Sequence, residues 1–79
     1  MRQFTLAQWV SIDRARNRYR YYRIELGEDL WGDLCVVKSW GRIGWSPRHK
    51  LYWPRSDQEL TRLIQGTVSR RIRHGYRVG

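Results

Sequence analysis

The sequence predicts an α+β domain: a twisted antiparallel β-sheet of about four strands with one long C-terminal helix packed on one face. Three observations predict it. Short runs of aromatic and β-branched residues recur as far as Trp53, separated by turn-forming residues. Ser56-Asp57-Gln58-Glu59 then reads as a capping box, in which a hydroxyl and a carboxylate satisfy the free amides of a helix start. Behind it, Leu60, Leu63, Ile64, Val68 and Ile72 recur at helical spacing and form one apolar stripe.

Taken in order, Met1 to Thr5 reads as a loose start, and Leu6 to Ile12 as a first strand with Trp9, Val10 and Ile12 supplying apolar contacts. Asp13 to Arg18 is polar and reads as a loop. Tyr19 to Leu26 is the clearest strand: Tyr22, Ile24 and Leu26 share a buried face, while Tyr21, Arg23 and Glu25 point away. Arg20 belongs to the buried face by parity but lies near the strand's start, beyond the core's edge. Gly27 to Asp33 connects to the next strand, with Leu30-Trp31 folding back as a hydrophobic clip. Leu34 to Ser39 is apolar on both faces, as a central strand under a helix should be. Ser46-Pro47 favours extended backbone, and Arg48 to Trp53 makes the last strand. Gly75 is placed to stop the helix.

Seventy-nine residues make one domain, with no repeat and no linker. A chain this short buries only about 60–65% of the surface its unfolded form exposes, so its stability is modest. Five tryptophans and five tyrosines offset this with large buried area per residue. Cys35 is the single cysteine, which excludes an internal disulfide and a cysteine zinc site. No run of about eighteen apolar residues is long enough for a membrane span, and the N-terminus has no apolar signal region. These features together predict a cytoplasmic protein.

The net charge is +9, and fourteen of the sixteen cations are arginines. Charge of that sign and size favours a polyanionic partner: nucleic acid, an acidic protein or an anionic membrane. Arg70, Arg71, Arg73 and His74 close the helix, where they either complement its dipole or present a stripe to a polyanion.

Chemistry for catalysis is missing from the pattern. His49 and His74 fall in different elements, the acidic residues sit mostly in turns or at the helix start, and no Walker or dinucleotide loop occurs. The chain reads as a non-enzyme with no cofactor and no metal.

One stretch is different. Lys38-Ser39-Trp40-Gly41-Arg42-Ile43-Gly44 places an indole, a residue without a side chain and a guanidinium in a row at the end of a strand. The glycines permit a sharp turn and close approach. A flat apolar plate beside a planar cation suits sugars, bases or phosphates. The alternative is structural: a tryptophan at a strand end is more often a core lid than a ligand platform, and an arginine in a turn is usually solvated.

Trp40-Gly41-Arg42, followed by Ile43-Gly44, resembles the signature of the WGR domain, a small module of poly(ADP-ribose) polymerases and of many bacterial proteins, some short and free-standing. Upstream, Tyr21-Tyr22-Arg23-Ile24-Glu25-Leu26 is similar to the family's aromatic strand, and Glu28-Asp29-Leu30-Trp31-Gly32 to its hairpin tip. Downstream, Arg73-His74-Gly75-Tyr76 is similar to its basic-Gly-Tyr close. The likeness runs from about residue 5 to 78. In the polymerases the module helps recognise broken DNA. The resemblance therefore implies Trp40 as a plate against sugar-phosphate at a strand end, and Arg42 as a contact or anchoring cation. Arg20, Lys38, Arg48 and Lys50 would touch phosphate nearby, and Trp45 would extend the plate or cover it. Two departures stand out: the family's asparagine before the paired aromatics is displaced to Asn17, and Trp45-Ser46-Pro47-Arg48 replaces small, glycine-rich residues. The expectation is a nucleic-acid-binding module, most naturally for duplex DNA backbone or ends. The alternative is a protein-interaction or regulatory module with an acidic protein partner. A membrane-surface role ranks third, because the Trp and Arg residues lie mostly on strands.

Overall fold

The computed structural model describes residues 3–79. Strands β1 (Gln3–Asp13), β2 (Arg18–Glu28), β3 (Leu34–Arg42) and β4 (Arg48–Tyr52) follow one another as an antiparallel meander. Helix α1 (Asp57–Arg73) returns the chain to strand β5 (Arg77–Val78), which pairs antiparallel with β1. The sheet order is β4-β3-β2-β1-β5. The fold is α+β as expected, with a fifth strand added. Two residues are too few for alternation to show, so that strand left no sequence pattern.

The first strand begins earlier than expected. Gln3, Phe4 and Thr5 pair with Gly27, Leu26 and Glu25, because β2 is long enough to template them. Met1 and Arg2, the rest of the expected loose start, lie outside the described residues. The register shifts between Thr5 and Ala7, so Leu6 is the extra residue of a bulge. Beyond the bulge, Trp9 stands opposite Tyr22 and is only 3% exposed. The segment expected as a loop contains a single 3-10 turn, Arg14–Arg16, closed by Asn17 at φ 53 and ψ 42. Asparagine tolerates that left-handed conformation better than most residues.

Trp9, Ile24 and Val36 form the core, and Leu60, Leu63, Ile64 and Val68 of α1 pack over it. Ile24 and Val36 are fully buried, each worth about 1.5–3 kcal/mol relative to exposure. The helix starts as expected, with Ser56 Oγ accepting from the Glu59 amide at 3.1 Å. It stops at Gly75, whose φ of 79 is in the left-handed region. Ile72 departs from the predicted stripe: it is 65% exposed. Arg71 takes the inward place instead, its guanidinium 4.1 Å from the Tyr22 ring centroid. Thr67, 1% exposed, fills the stripe between Leu63 and Val68, its hydroxyl donating to the Leu63 carbonyl at 2.8 Å.

Two turn expectations are overturned. Leu30 and Trp31 do not fold back as a clip; they are 86% and 82% exposed. The Asp29 carboxylate sets that tip, accepting from the amides of Trp31 and Asp33 at 2.9 Å each and from Trp53 Nε1 at 3.0 Å. Polar bonds therefore fix the turn and leave the apolar pair outside. Likewise Trp40-Gly41-Arg42 is strand rather than turn, paired with Tyr22, Tyr21 and Arg20. The chain reverses afterwards, around Gly44 at φ 87, where the Trp45 amide donates to the Arg42 carbonyl at 3.0 Å.

Candidate nucleic-acid interface

Strand pairing brings the signature to the first turn. Tyr22 stands opposite Trp40, Arg20 opposite Arg42, and Arg48 opposite Trp40 on the other side. The segment following β1 wraps toward the same end of the sheet. Together they enclose an open cleft of about 760 Å³ that also takes in Asn17, Tyr19, Trp45 and Tyr76. Among the described residues, five arginines line it (Arg16, Arg18, Arg20, Arg42 and Arg48), and no carboxylate does. Cations gathered on low-dielectric walls focus a positive potential into the cleft.

Trp40 is partly buried. One face of the indole is stacked on Tyr22, with ring centroids 5.9 Å apart and planes inclined by 15°. Tyr22 in turn meets Trp9 at 6.2 Å, the edge of Tyr76 at 6.4 Å and the Arg71 guanidinium. Trp40 is thus the outermost ring of a layer that begins in the core. It is neither a buried lid nor a free-standing plate. Burial pushes the Tyr22 phenol up, and the Arg71 charge opposes this in part.

Arg42 is held rather than loose. Nη1 donates to the Asn17 carbonyl at 3.1 Å, Nη2 donates to Asn17 Oδ1 at 3.0 Å, and the guanidinium lies 5.3 Å from the Tyr19 ring centroid. The displaced asparagine therefore has a partner inside the signature. Arg18 Nη2 donates to the His74 carbonyl at 3.1 Å, tying the first turn to the end of the helix. Gly41 does not adopt a positive φ. A Cβ there would meet Pro47 Cα and Ser46 O at 3.7 Å, ordinary contacts.

Of the residues singled out in the sequence, Trp40, Gly41, Arg42, Arg20, Arg48 and Trp45 come together at this cleft. Trp45 is 70% exposed at its rim, extending the aromatic lining rather than covering Trp40. Lys38 and Lys50 do not line it. Lys38 is 4% exposed, with its Nζ 4.8 Å from the Tyr52 ring centroid, and Lys50 faces the same ring at 5.4 Å. Position along the strand is the reason: Lys38 lies on the same face as Trp40 but two residues further into the sheet, beneath α1, whereas Trp40 stands at the end that opens into the cleft. Sequence reasoning missed Arg16, Arg18, Tyr19 and Tyr76 as lining residues. The alternation of cations from Arg14 to Arg20 was the available signal for the first two.

Elsewhere, burial pushes the Cys35 thiol up, which suits a packed side chain rather than a nucleophile. Among the described residues, no three metal-ligating side chains come together. Nor, among the described residues, is any helix long and apolar enough to cross a membrane.

A five-stranded antiparallel sheet, one helix and a basic aromatic cleft at a Trp-Gly-Arg strand end define a small α+β module. The chain belongs to the WGR domain family, which it matches over residues 7–78. It is also 30% identical over 66 residues to the uncharacterized protein y4dW of Sinorhizobium fredii (strain NBRC 101917 / NGR234). That match covers 84% of this chain but 32% of y4dW, so the chain spans about a third of that relative's length. No solved structure matches the chain.

Proposed function

We propose that this chain is a non-catalytic module that binds nucleic acid, most naturally the backbone or ends of duplex DNA, with little sequence preference. The observation that carries the reading is the cleft in which, among the described residues, five arginines and no carboxylate surround the Trp40 indole. In this reading Arg20, Arg48, Arg16 and Arg18 take phosphates, Arg42 shapes the cleft while adding its charge, and Trp40 with Trp45 meets sugar or an unstacked base. Stacking of that kind is worth about 1–3 kcal/mol per base. Phosphate contacts supply the rest and carry little base information.

Fluorescence anisotropy with blunt, nicked and single-stranded oligonucleotides, with heparin as competitor, tests it. Neutralising about four phosphates gives a log–log salt slope near −3.6. Blunt or nicked duplexes should bind more tightly than an un-nicked duplex of equal length whose ends are closed by hairpin loops. Absence of measurable binding to any oligonucleotide at low salt would remove this reading.

One observation favours a second reading, that of a protein-interaction module. Leu30 and Trp31 are exposed at a hydrogen-bonded tip at the end of β2 opposite the cleft, where they line an apolar groove of about 460 Å³ with Val37 and Leu51. An exposed tryptophan such as Trp31 is among the residues that protein interfaces use as anchors. An acidic protein on the basic face, the alternative read from charge, would leave that tip free for a further contact.

A further inference from the structure

Lys38 is a buried cation whose charged neighbours are themselves cations. It sits on the helix-side face of β3 between Val36 and Trp40 and is 4% exposed. Lys50 is its direct partner across the β3–β4 ladder. Their ammonium groups are 4.8 and 5.4 Å from one and the same ring, that of Tyr52. A single quadrupole attracts each ammonium but neutralises neither. From the helix side come Arg71, stacked over Tyr22 and 5.2 Å from the Tyr76 centroid, and Arg70 beside it. Arg71 Nε is buried without a hydrogen-bond partner.

Nothing within the described fold balances these charges. The ion pairs among the described residues are Arg16 with Asp13, at the first turn, and Arg23 with Glu25, on the opposite face of the sheet from Lys38. Desolvation first, and then the charges of Arg70, Arg71 and Lys50, press the Lys38 ammonium to give up its proton. Buried charge of one sign without a counter-charge is unfavourable, and an anion arriving from outside removes the penalty.

We propose that Lys38, Lys50, Arg70 and Arg71 form a second anion seat, between α1 and the β3–β4 edge, that takes a phosphate group. Lys38 and Arg71 are its floor, while Lys50 and Arg70, both exposed, are its rim. The seat is continuous with the cleft. Along β3, Trp40 follows Lys38 by two residues, and along β4, Lys50 follows Arg48 by two, a step of about 6.8 Å. A strand lying against Trp40 would therefore present a neighbouring phosphate to the seat. Its use by nucleic acid rests on the reading given above; its affinity for a phosphate group does not.

Pyrophosphate and a short blunt duplex are the two probes. Pyrophosphate at low ionic strength should raise the Tm of the unmodified chain and of Trp40→Ala by a similar amount. It should raise the Tm of the double variant Lys50→Gln/Arg70→Gln by clearly less, the remainder coming from the cleft arginines that this variant keeps. Equal protection of the double variant and the unmodified chain would overturn the seat. In the duplex titration, the same double variant should flatten the salt slope by about 1. If the unmodified chain binds duplex and the double variant keeps its slope, the nucleic-acid assignment of the seat falls while the cleft stands. If pyrophosphate protects as expected and no duplex binds, the seat stands as a site for free phosphates and the cleft reading falls. Lys38→Met guards against a mere surface effect. It should raise the Tm without ligand and reduce the pyrophosphate response; a lower Tm with a full response would overturn Lys38's part.

Discussion

The Arg42 guanidinium grips Asn17 at two points, the backbone carbonyl at 3.1 Å and the side-chain oxygen at 3.0 Å. The third residue of the signature is thereby tied to the turn that supplies Arg16 and Arg18 to the cleft. A fork of this geometry requires a planar guanidinium, which a lysine ammonium cannot reproduce. Arg42→Lys should therefore keep the charge yet lose most of the duplex affinity that Arg42→Ala loses. Because the pair is exposed, the stability loss in either variant should be only about 1 kcal/mol. Urea midpoints and anisotropy titrations on the same samples check both halves.

Trp40 invites a different expectation, since the ring is shared between fold and cleft. Removing it uncovers the Tyr22 face on which it is stacked. An aromatic pair contributes about 0.5–1.5 kcal/mol beyond its buried area. Trp40→Ala should thus fold with a lowered urea midpoint and lose roughly 1–3 kcal/mol of duplex binding. Trp40→Phe should recover most of the stability and part of the binding. A Trp40→Ala variant that fails to fold would place the ring in the core.

The residues explain why some of this was legible in the sequence and some was not. Local chemistry was legible: Ser56 caps the helix, Gly75 stops it, and Tyr22, Ile24 and Leu26 share the helix-side face. Readings that depended on competition between local signals failed. Gly41 resembles a turn former, yet pairing with Tyr21 keeps it in strand. Leu30 and Trp31 look like core residues, yet the Asp29 bonds decide where they point. Lys38 reads as a surface cation because it carries charge, but parity puts it beneath α1. The site was half legible for the same reason. The signature named Trp40 and Arg42, whereas the contribution of the first turn depends on the Asn17 bond, a contact across 25 residues.

Asp29 gives the hairpin tip a pH dependence of known sign. The Asp33 amide foremost, with the Trp31 amide and the Trp53 indole, holds its carboxyl below the ordinary value of 3.8. A depressed folded value means the carboxylate's stabilising contribution is present above 3.8 and is lost as pH falls through that lower value. The Trp53 Nε1 proton resonance should therefore hold steady from neutral pH down to about 4 and move only in stronger acid. In Asp29→Ala the resonance should already sit at its shifted position at pH 7. A Trp53 signal that titrates with the ordinary carboxylates would remove Asp29 as the clamp.

Lys38 supplies the opposite case, because its ammonium is disfavoured in the folded state. Its pKa is lowered from 10.5, chiefly by desolvation. In the window between that lowered value and 10.5, the unfolded chain holds the proton and the folded chain has released it. Stability then rises with pH through the window, and the full penalty applies below it. Tyr22 titrates with the contrary sign, since its phenol is raised above 10.0 and stability falls as pH climbs past that value. Comparing the unmodified chain with Lys38→Met removes the tyrosine contribution, which both share. Lys38→Met should be the more stable of the two at pH 7, and its advantage should shrink steadily as pH approaches 10.5. Paired urea denaturations across that range measure the gap directly. An advantage that stays constant would mean that the buried ammonium carries no penalty in the folded state.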